Sequence, residues 1–336
     1  MLRNTGRGGA FTRIEWPTVG LIALCYGVWF AAGFWIWPVS PVSALAIMSI
    51  TVALQSSLMH EVLHGHPTRN AVINEALISL PIGLVWPYRR FKSLHLRHHH
   101  DERLTDPFDD PESFYQALWQ YRRLPKILRL ILRVNNVLLA RVVLGPILGV
   151  AGLVWTDLRS IFAGNSKVGF AWVLHGVLII PVIGIVVMLF EIPLWLYLLV
   201  PVWVGHGIIS IRTYAEHQWS ETPDGRTIIV ERSILGFLFL NNNLHFVHHD
   251  LPGVPWYQLP SVYWNKREEW QRRNGGYVYP NYLALLAKFG LRAKEPVVHP
   301  QWRRVIEQRF IFLPEGHGQD GMEGANMRPV AESQRD

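Results

Sequence analysis

The feature that most constrains the fold is a set of apolar runs long enough to cross a lipid bilayer. Residues 19–37, 42–59, 169–190 and 192–211 each approach the roughly 20 residues that a transmembrane helix needs. Half of the chain is apolar and only 17% is charged. Because a backbone in lipid must satisfy its own hydrogen bonds, these runs predict helices. We expect an all-α integral membrane protein with about four transmembrane helices in two hairpins.

The remaining segments predict interfacial structure, a cap and two polar ends. Residues 72–86 are apolar but short and contain Asn74, Glu75 and Pro81, which favours a re-entrant or interfacial segment over a span. We expect residues 1–18 to be a cytoplasmic N-terminal segment and residues 60–168 and 212–313 to form a cytoplasmic cap. Residues 19–313 then form one membrane domain. The polar tail, residues 314–336, is predicted to be disordered.

One further apolar run, residues 142–156, is predicted not to cross the membrane. Only 15 residues separate Arg141 from Asp157, and moving an arginine to the bilayer centre costs about 2.5–3.5 kcal/mol. Three crossings between His100 and His217 would also place the last histidine cluster on the opposite face from the first two. We therefore expect residues 113–165 to lie on the membrane.

The net charge of +7 is explained by membrane orientation and does not indicate nucleic-acid binding. Lysine and arginine flank the apolar runs, whereas neither predicted outer turn carries one, as the positive-inside rule requires. The single cysteine, Cys25, excludes an internal disulfide and a cysteine-ligated iron–sulfur cluster.

Ten of the 15 histidines occur in three short clusters. The clusters are His60-Glu-Val-Leu-His64-Gly-His66, His95-Leu-Arg-His98-His99-His100 and His245-Phe-Val-His248-His249. On a helix, residues three and four apart share a face. Neutral imidazole is the commonest protein ligand for iron, zinc and copper. The spacing therefore predicts a metal site.

Two metal ions are predicted rather than one. Eight histidines, His60, His64, His95, His98, His99, His245, His248 and His249, exceed a single coordination sphere. Nitrogen ligands with open positions suit redox-active iron, whereas structural zinc is closed by four ligands. The competing interpretation is a membrane zinc protease, because His60-Glu61-Val-Leu-His64 matches HExxH. It would leave the other two clusters without a role.

The three clusters resemble the histidine boxes of the membrane fatty-acid desaturase superfamily. LTDPFDDPES after the second cluster and NNNLHFVHHDLPGVPWYQLP around the third resemble its bacterial members, and the similarity covers roughly residues 40–300. It implies a non-haem di-iron centre, O2 as oxidant and oxidation of an unactivated C–H bond. The eight histidines match box positions. His217, in AEHQW, lies where related enzymes often supply a ninth ligand.

Several further residues are candidates to orient the ligating imidazoles. They are Glu61, His66, His100, Asp106, Asp110 and Asn243; Asn243 could instead hold a metal-bound water. Solvated or purely structural roles for each remain open. His206, in the last span, is predicted to be a neutral histidine bonded to a neighbouring helix.

The resemblance implies a desaturase acting on a fatty acyl chain or lipid-like substrate, in the bacterial inner membrane with its site facing the cytoplasm. A hydroxylase or ketolase of the same superfamily stays open, as does a desaturase of a small metabolite of the dihydrorhizobitoxine type. Electrons would come from a separate ferredoxin, rubredoxin or cytochrome. A metal transporter or sensor is the non-enzymatic alternative, but the spans carry few ionisable residues beyond His175 and His206.

Overall fold

The protein is almost entirely helical, as predicted. The computed structural model describes residues 14–100 and 103–301, without the side chain of His100. The helices are α1 Trp16–Ala31, α2 Pro41–Leu63, α3 Ala71–Ile78, α4 Tyr88–His100, α5 Leu118–Arg123, α6 Lys126–Asn135, α7 Leu138–Phe162, α8 Ser166–Gly184, α9 Leu194–Tyr197, α10 Trp203–Glu216, α11 His245–Asp250, α12 Leu259–Asn265, α13 Arg267–Arg273 and α14 Tyr282–Phe289. Two-residue strands, β1 Ile229–Val230 and β2 Val278–Tyr279, pair in parallel. The predicted disordered tail, residues 314–336, lies outside the described residues.

The four predicted spans are helical over most of their length. Within the described residues, five helices are long and apolar enough to cross a membrane: Trp16–Ile36, Pro41–Leu63, Leu138–Phe162, Ser166–Leu189 and Leu194–Glu216. The first, fourth and fifth each contain one five-residue π-helical turn. The second and fifth helices extend past the apolar residues, so that histidines lie at their ends. These features establish an integral membrane protein.

The fifth candidate is α7, which contains the run expected to lie on the membrane. It forms one 25-residue helix despite an internal proline, Pro146. The charges expected to limit it are instead held within the protein. Asp157 accepts two hydrogen bonds from Arg90, at 2.7 and 2.6 Å, and a third from the Trp172 indole. Length and composition allow α7 to cross, so its surface position stays a prediction.

Residues 72–86 do not form a span. After α3, the backbone of residues 79–87 is irregular and packs among α1, α2, α8 and α10, where polar side chains bond its carbonyls. Tyr197 Oη donates to Ile82 O at 2.7 Å, His206 Nε2 to Gly83 O at 3.2 Å, and His175 Nε2 to Leu84 O at 2.8 Å. Irregular backbone is tolerated at membrane depth when protein covers it in this way.

Helix α2 is the central element of the membrane domain. Its buried residues include Met48, Val52 and Leu58, which pack against α1 and the last span. Gly205 of α10 allows the closest approach, because an added Cβ there would lie 2.8 Å from the backbone oxygen of Ser49. Glycine commonly permits such contact between membrane helices. The packing fixes the end of α2, and with it the first histidine cluster.

Candidate metal centre

Four elements bring the predicted histidines together at one end of the membrane helices. The last turn of α2 supplies His60, and the C-cap residue of the same helix is His64. Helix α4 carries the second cluster and α11 the third, while His217 follows the last residue of α10. All nine histidines proposed as ligands meet there, in two separate sets.

The first, five-histidine set draws on all three clusters. It comprises His60, His64, His95, His99 and His248, with one ring nitrogen from each within 4.8 Å of the others. Their Nε2 atoms are buried and have no hydrogen-bond partner among the described residues. Because a buried polar atom normally has a partner, five converging orphan nitrogens make this set a candidate site for a cation.

The second, four-histidine set comprises His98, His217, His245 and His249. The Nε2 atom of His217 lies 3.0 Å from that of His98 and 3.1 Å from that of His245. His249 Nε2 lies 3.2 Å from His245 Nε2. Nitrogens bound about 2.1 Å from one ion are separated by roughly 3.0–3.4 Å, so these distances fit a common metal ion.

Three imidazoles have their Nδ1 atoms held by an oxygen acceptor. His95 Nδ1 lies 2.8 Å from Glu112 Oε1, and His98 Nδ1 lies 2.7 Å from Asp110 Oδ1. His245 Nδ1 lies 2.9 Å from the Asn242 side-chain oxygen. A proton held on Nδ1 leaves the Nε2 lone pair free to bind metal.

Of these acceptors, only Asp110 was among the predicted orienting residues. Glu112 was missed, although it lies two residues after Asp110 in the same acidic loop. Asn242 was also missed, because Asn243 was chosen instead. Asn242 precedes His245 by three residues, the spacing from which a side chain reaches the first turn of a helix.

Burial keeps most of these imidazoles neutral, the form that binds metal. It lowers the pKa of His217, His248 and His249 well below the usual range. Burial, reinforced by His95, lowers the pKa of His64 to about 2. His98 differs: burial opposes protonation, but the carboxylates of Glu112 and Asp110 outweigh it and raise its pKa to about 9.

Two of the predicted orienting residues face away from the nine histidines. Glu61 Oε1 accepts the Trp256 backbone N–H at 3.0 Å and lies 3.9 Å from His66 Nε2. The His66 Nδ1 atom pairs with Glu15 Oε1 at 2.8 Å. Together, Glu15, Glu61 and His66 tie the start of α1 to the end of α2.

The other candidates have local contacts. Asp106 accepts the backbone N–H groups of Phe108 and Asp109 and so shapes the acidic loop. The Asn243 amide donates to Val230 O at 2.6 Å, so the contact with His245 belongs to Asn242. The side chain of His100 lies outside the described part of the chain.

Comparison with known proteins agrees with this geometry. The family model for "Fatty acid desaturase" matches residues 34–281, well over half of the chain and inclusive of all nine histidines. No curated protein sequence matches significantly. The family implies a lipid or acyl substrate. The chain belongs to the fatty acid desaturase family and is a membrane oxidoreductase.

Proposed function

We propose that the protein is an O2-dependent desaturase that uses two iron ions to introduce a double bond into a fatty acyl chain. One observation carries the proposal: nine histidines converge as two adjacent sets at the end of a membrane helix bundle. The family supports the oxidation chemistry. The two-set geometry supports a binuclear centre over a single structural ion.

The five-histidine set would hold one ion and the four-histidine set the other. All-nitrogen coordination by neutral imidazole suits redox-active iron. When bound, two ferrous ions supply O2 activation and the oxidising power to remove two hydrogen atoms from adjacent methylenes. The protein's part is to hold the imidazoles. Asp110, Glu112 and Asn242 retain the Nδ1 protons of three of them, so that Nε2 faces the ion.

A small, mostly apolar groove of about 20 Å³ lies beside the site. It lies between α3, the irregular segment and α8, with Met59, Ile78, Pro81, Trp86 and Leu174 among its lining residues. Met59 precedes His60, so the groove reaches the helix turn that carries a proposed ligand. Arg89 and Glu75, which form an ion pair, also line it. A cavity of this size holds about one water molecule, so the acyl substrate rests on the family and not on this groove.

The HExxH protease interpretation lacks support in the geometry. In such proteases the glutamate acts as general base on a metal-bound water. Here Glu61 turns towards Trp256 and His66, whereas His60 and His64 both belong to the five-histidine set. A desaturase needs no base at that position.

Electrons would come from a separate carrier that docks on the histidine side of the membrane, which we propose to be the cytoplasmic side. The exposed side chain of Arg97 lies on α4, beside the histidines. Positive surface charge would attract an acidic carrier such as a ferredoxin. Turnover that is independent of ionic strength would count against this docking mode.

The test is a lipid and metabolite profile, by mass spectrometry, of a host expressing the wild type, His98→Ala or His206→Gln. His206→Gln is a matched control, because it changes a buried histidine outside both sets and keeps an N–H donor for Gly83. Desaturation predicts a product two hydrogens lighter with the wild type and the control, and none with His98→Ala.

Three other outcomes would redirect the proposal. A product one oxygen heavier would replace desaturation by hydroxylation. A product formed equally by His98→Ala would show that the histidine sets do not carry the reaction. An unchanged lipid profile would move the substrate from acyl chains to a small metabolite, to be sought by feeding.

A further inference from the structure

We propose that residues 290–301, here called the C-terminal strap, hold the four-histidine set in its metal-binding geometry, with Lys294 as the principal positioning residue. The strap lies beyond the matched family region, which ends at residue 281. The inference rests on the proposed two-metal function and concerns how this chain secures the second ion.

The strap joins three separate segments of the chain. It bonds residues 113–117 after the acidic loop, residues 135–139 between α6 and α7, and the chain just after α10. The backbone bonds run from Leu139 N to Gly290 O at 3.3 Å, Lys294 N to Asn136 O at 3.1 Å, Gln116 N to Val297 O at 2.8 Å and His299 N to Gln116 O at 3.0 Å.

Lys294 closes the end of α10. Its ammonium donates to the backbone oxygens of Tyr214 at 2.9 Å, Ala215 at 3.2 Å and His217 at 2.6 Å. The last carbonyls of a helix accept no hydrogen bond from within the helix. A lysine there donates hydrogen bonds to them and complements the helix dipole. Three backbone oxygens converge on this one nitrogen, so the Lys294 side chain fixes the backbone at His217.

Glu295 holds the backbone on the other side of His217. Its carboxylate accepts the Trp219 N–H at 3.3 Å and also contacts the Tyr115 hydroxyl. Adjacent strap residues therefore bind the chain immediately before and after one proposed ligand. The result is a backbone clamp on residues 214–219.

His217 has particular need of such a clamp. His98 and His245 each have an Nδ1 acceptor that sets the ring. The Nδ1 atom of His217 is buried and has no hydrogen-bond partner in the described chain. Its Nε2 nevertheless lies within 3.1 Å of two other Nε2 atoms. Its orientation therefore depends on its backbone.

The strap also supports His98 indirectly. His299 Nε2 lies 3.3 Å from the Thr105 hydroxyl, and the Thr105 backbone N–H donates to Asp110 Oδ2 at 2.8 Å. Asp110 in turn holds His98. The contacts of the strap therefore lead to His98 and His217, which both belong to the four-histidine set. Both lines of contact converge on the second ion.

The experiment compares purified wild type, Lys294→Met, Lys294→Arg and Lys288→Met after metal removal and reloading with Fe²⁺ under anaerobic conditions. Lys288→Met is the matched control, because Lys288 is exposed on α14 and its ammonium hydrogen-bonds only to Tyr279 among the described residues. Metal per chain is measured by plasma mass spectrometry. Release to a chelator is followed over time.

We expect two ions per chain in the wild type and in Lys288→Met, and about one in Lys294→Met. Lys294→Arg should retain the second ion, with faster release. Two ions held equally tightly by Lys294→Met would overturn the proposal. Loss of both ions from folded Lys294→Met would show that Lys294 does not act on the second ion selectively.

Two further outcomes keep the test decisive. If Lys294→Met does not fold, release of the second ion from Lys294→Arg is compared with the wild type, and an unchanged rate overturns the proposal. A wild type that binds fewer than two ions would contradict the proposed two-metal function itself. That result is distinct from failure of the clamp.

Discussion

The imidazole of His98 and the carboxylate of Asp110 form a buried pair, with Nδ1 2.7 Å from Oδ1. Both side chains are almost completely excluded from solvent. Asp110 also accepts the backbone N–H groups of Thr105 and Glu112, at 2.8 and 2.9 Å. The acidic loop is thus folded around the carboxylate that orients a proposed ligand.

We expect Asp110→Asn to weaken metal binding at the four-histidine set by about 10–100-fold, because an amide accepts the Nδ1 proton less strongly. Affinity is measured by competition with a chromophoric chelator. Asp109→Asn is the control, since Asp109 lies in the same loop but pairs with Arg103 at the surface. Equal affinities for the two variants would contradict the role of Asp110.

Glu112→Gln is expected to weaken binding of the ion at the five-histidine set, because Glu112 holds His95 of that set. Because the hydrogen bonds of the two carboxylates go to different sets, each single variant should speed the release of one ion, and the double variant Asp110→Asn/Glu112→Gln should speed the release of both. The measurement is the two-step release of metal to a chelator. A double variant no weaker than Asp110→Asn alone would show that both residues act on one ion.

Glu295 predicts a pH dependence of stability in the metal-free protein. Burial raises its pKa to about 8, although the Trp219 N–H opposes the shift. Between the ordinary glutamate pKa and 8, the folded state keeps a proton that the unfolded state has lost. Stability contributed by this group therefore falls as pH rises through that window, by at most about 1.4 kcal/mol per pH unit.

The Tm of metal-free wild type should fall more steeply between pH 5 and 8 than that of Glu295→Gln, which cannot ionise. Other titrating groups are common to both proteins, so the difference between the curves isolates Glu295. Parallel curves would show that the glutamate titrates at its ordinary pKa.

Eight of the nine histidines could be predicted from the sequence because spacing of three and four residues determines which side chains share a helix face, whereas His217 lies outside the clusters and was expected only from the resemblance. The division of the histidines between two ions could not be predicted. His98 and His99 are neighbours, yet they belong to different sets, and the same holds for His248 and His249. Adjacent residues on a helix point about 100° apart, so the division depends on where the helices lie relative to one another.

The orienting groups were predicted less well, because loops place them. Asp106 and Asp110 look equivalent in the acidic segment, yet one shapes the loop and the other holds His98. Asn242 and Asn243 differ by one position, and only the former contacts His245. Lys294 carried no signal, because its acceptors lie about 80 residues away in sequence.

Gly205→Ala is expected to destabilise the helix bundle by about 1–3 kcal/mol. The added methyl group would meet Val52 Cβ at 2.7 Å and the Ser49 backbone oxygen at 2.8 Å, and neither can rotate away. Gly176→Ala in α8 is the matched control, since nothing lies within 4 Å of the position that its methyl group would take. Unfolding in mixed detergent measures both, and equal stabilities would contradict close packing of α2 and α10.

The position of α7 relative to the membrane is the last prediction. Because His95 and His248 belong to one set, an even number of the spans between them crosses the bilayer. Both ends of α7 are tied to residues near the histidines: Asp157 bonds Arg90 of α4, and Arg141 packs over the ring of Tyr214 at 5.8 Å. These contacts favour an arrangement in which both ends of α7 lie on the histidine side of the membrane.

Single cysteines at Ser43, Ser93 and Ser166, labelled with a membrane-impermeant maleimide from either side, distinguish the two arrangements. Ser93 lies on α4 beside the histidines, Ser43 at the far end of α2, and Ser166 at the start of α8. Cys25 is buried, and labelling of the wild type, which has only this cysteine, measures the background. If both ends of α7 lie on the histidine side, Ser166→Cys is labelled from the same side of the membrane as Ser93→Cys. If Ser166→Cys labels with Ser43→Cys instead, α7 crosses the membrane, and one of the two following helices must fail to cross, because the histidines still meet on one side.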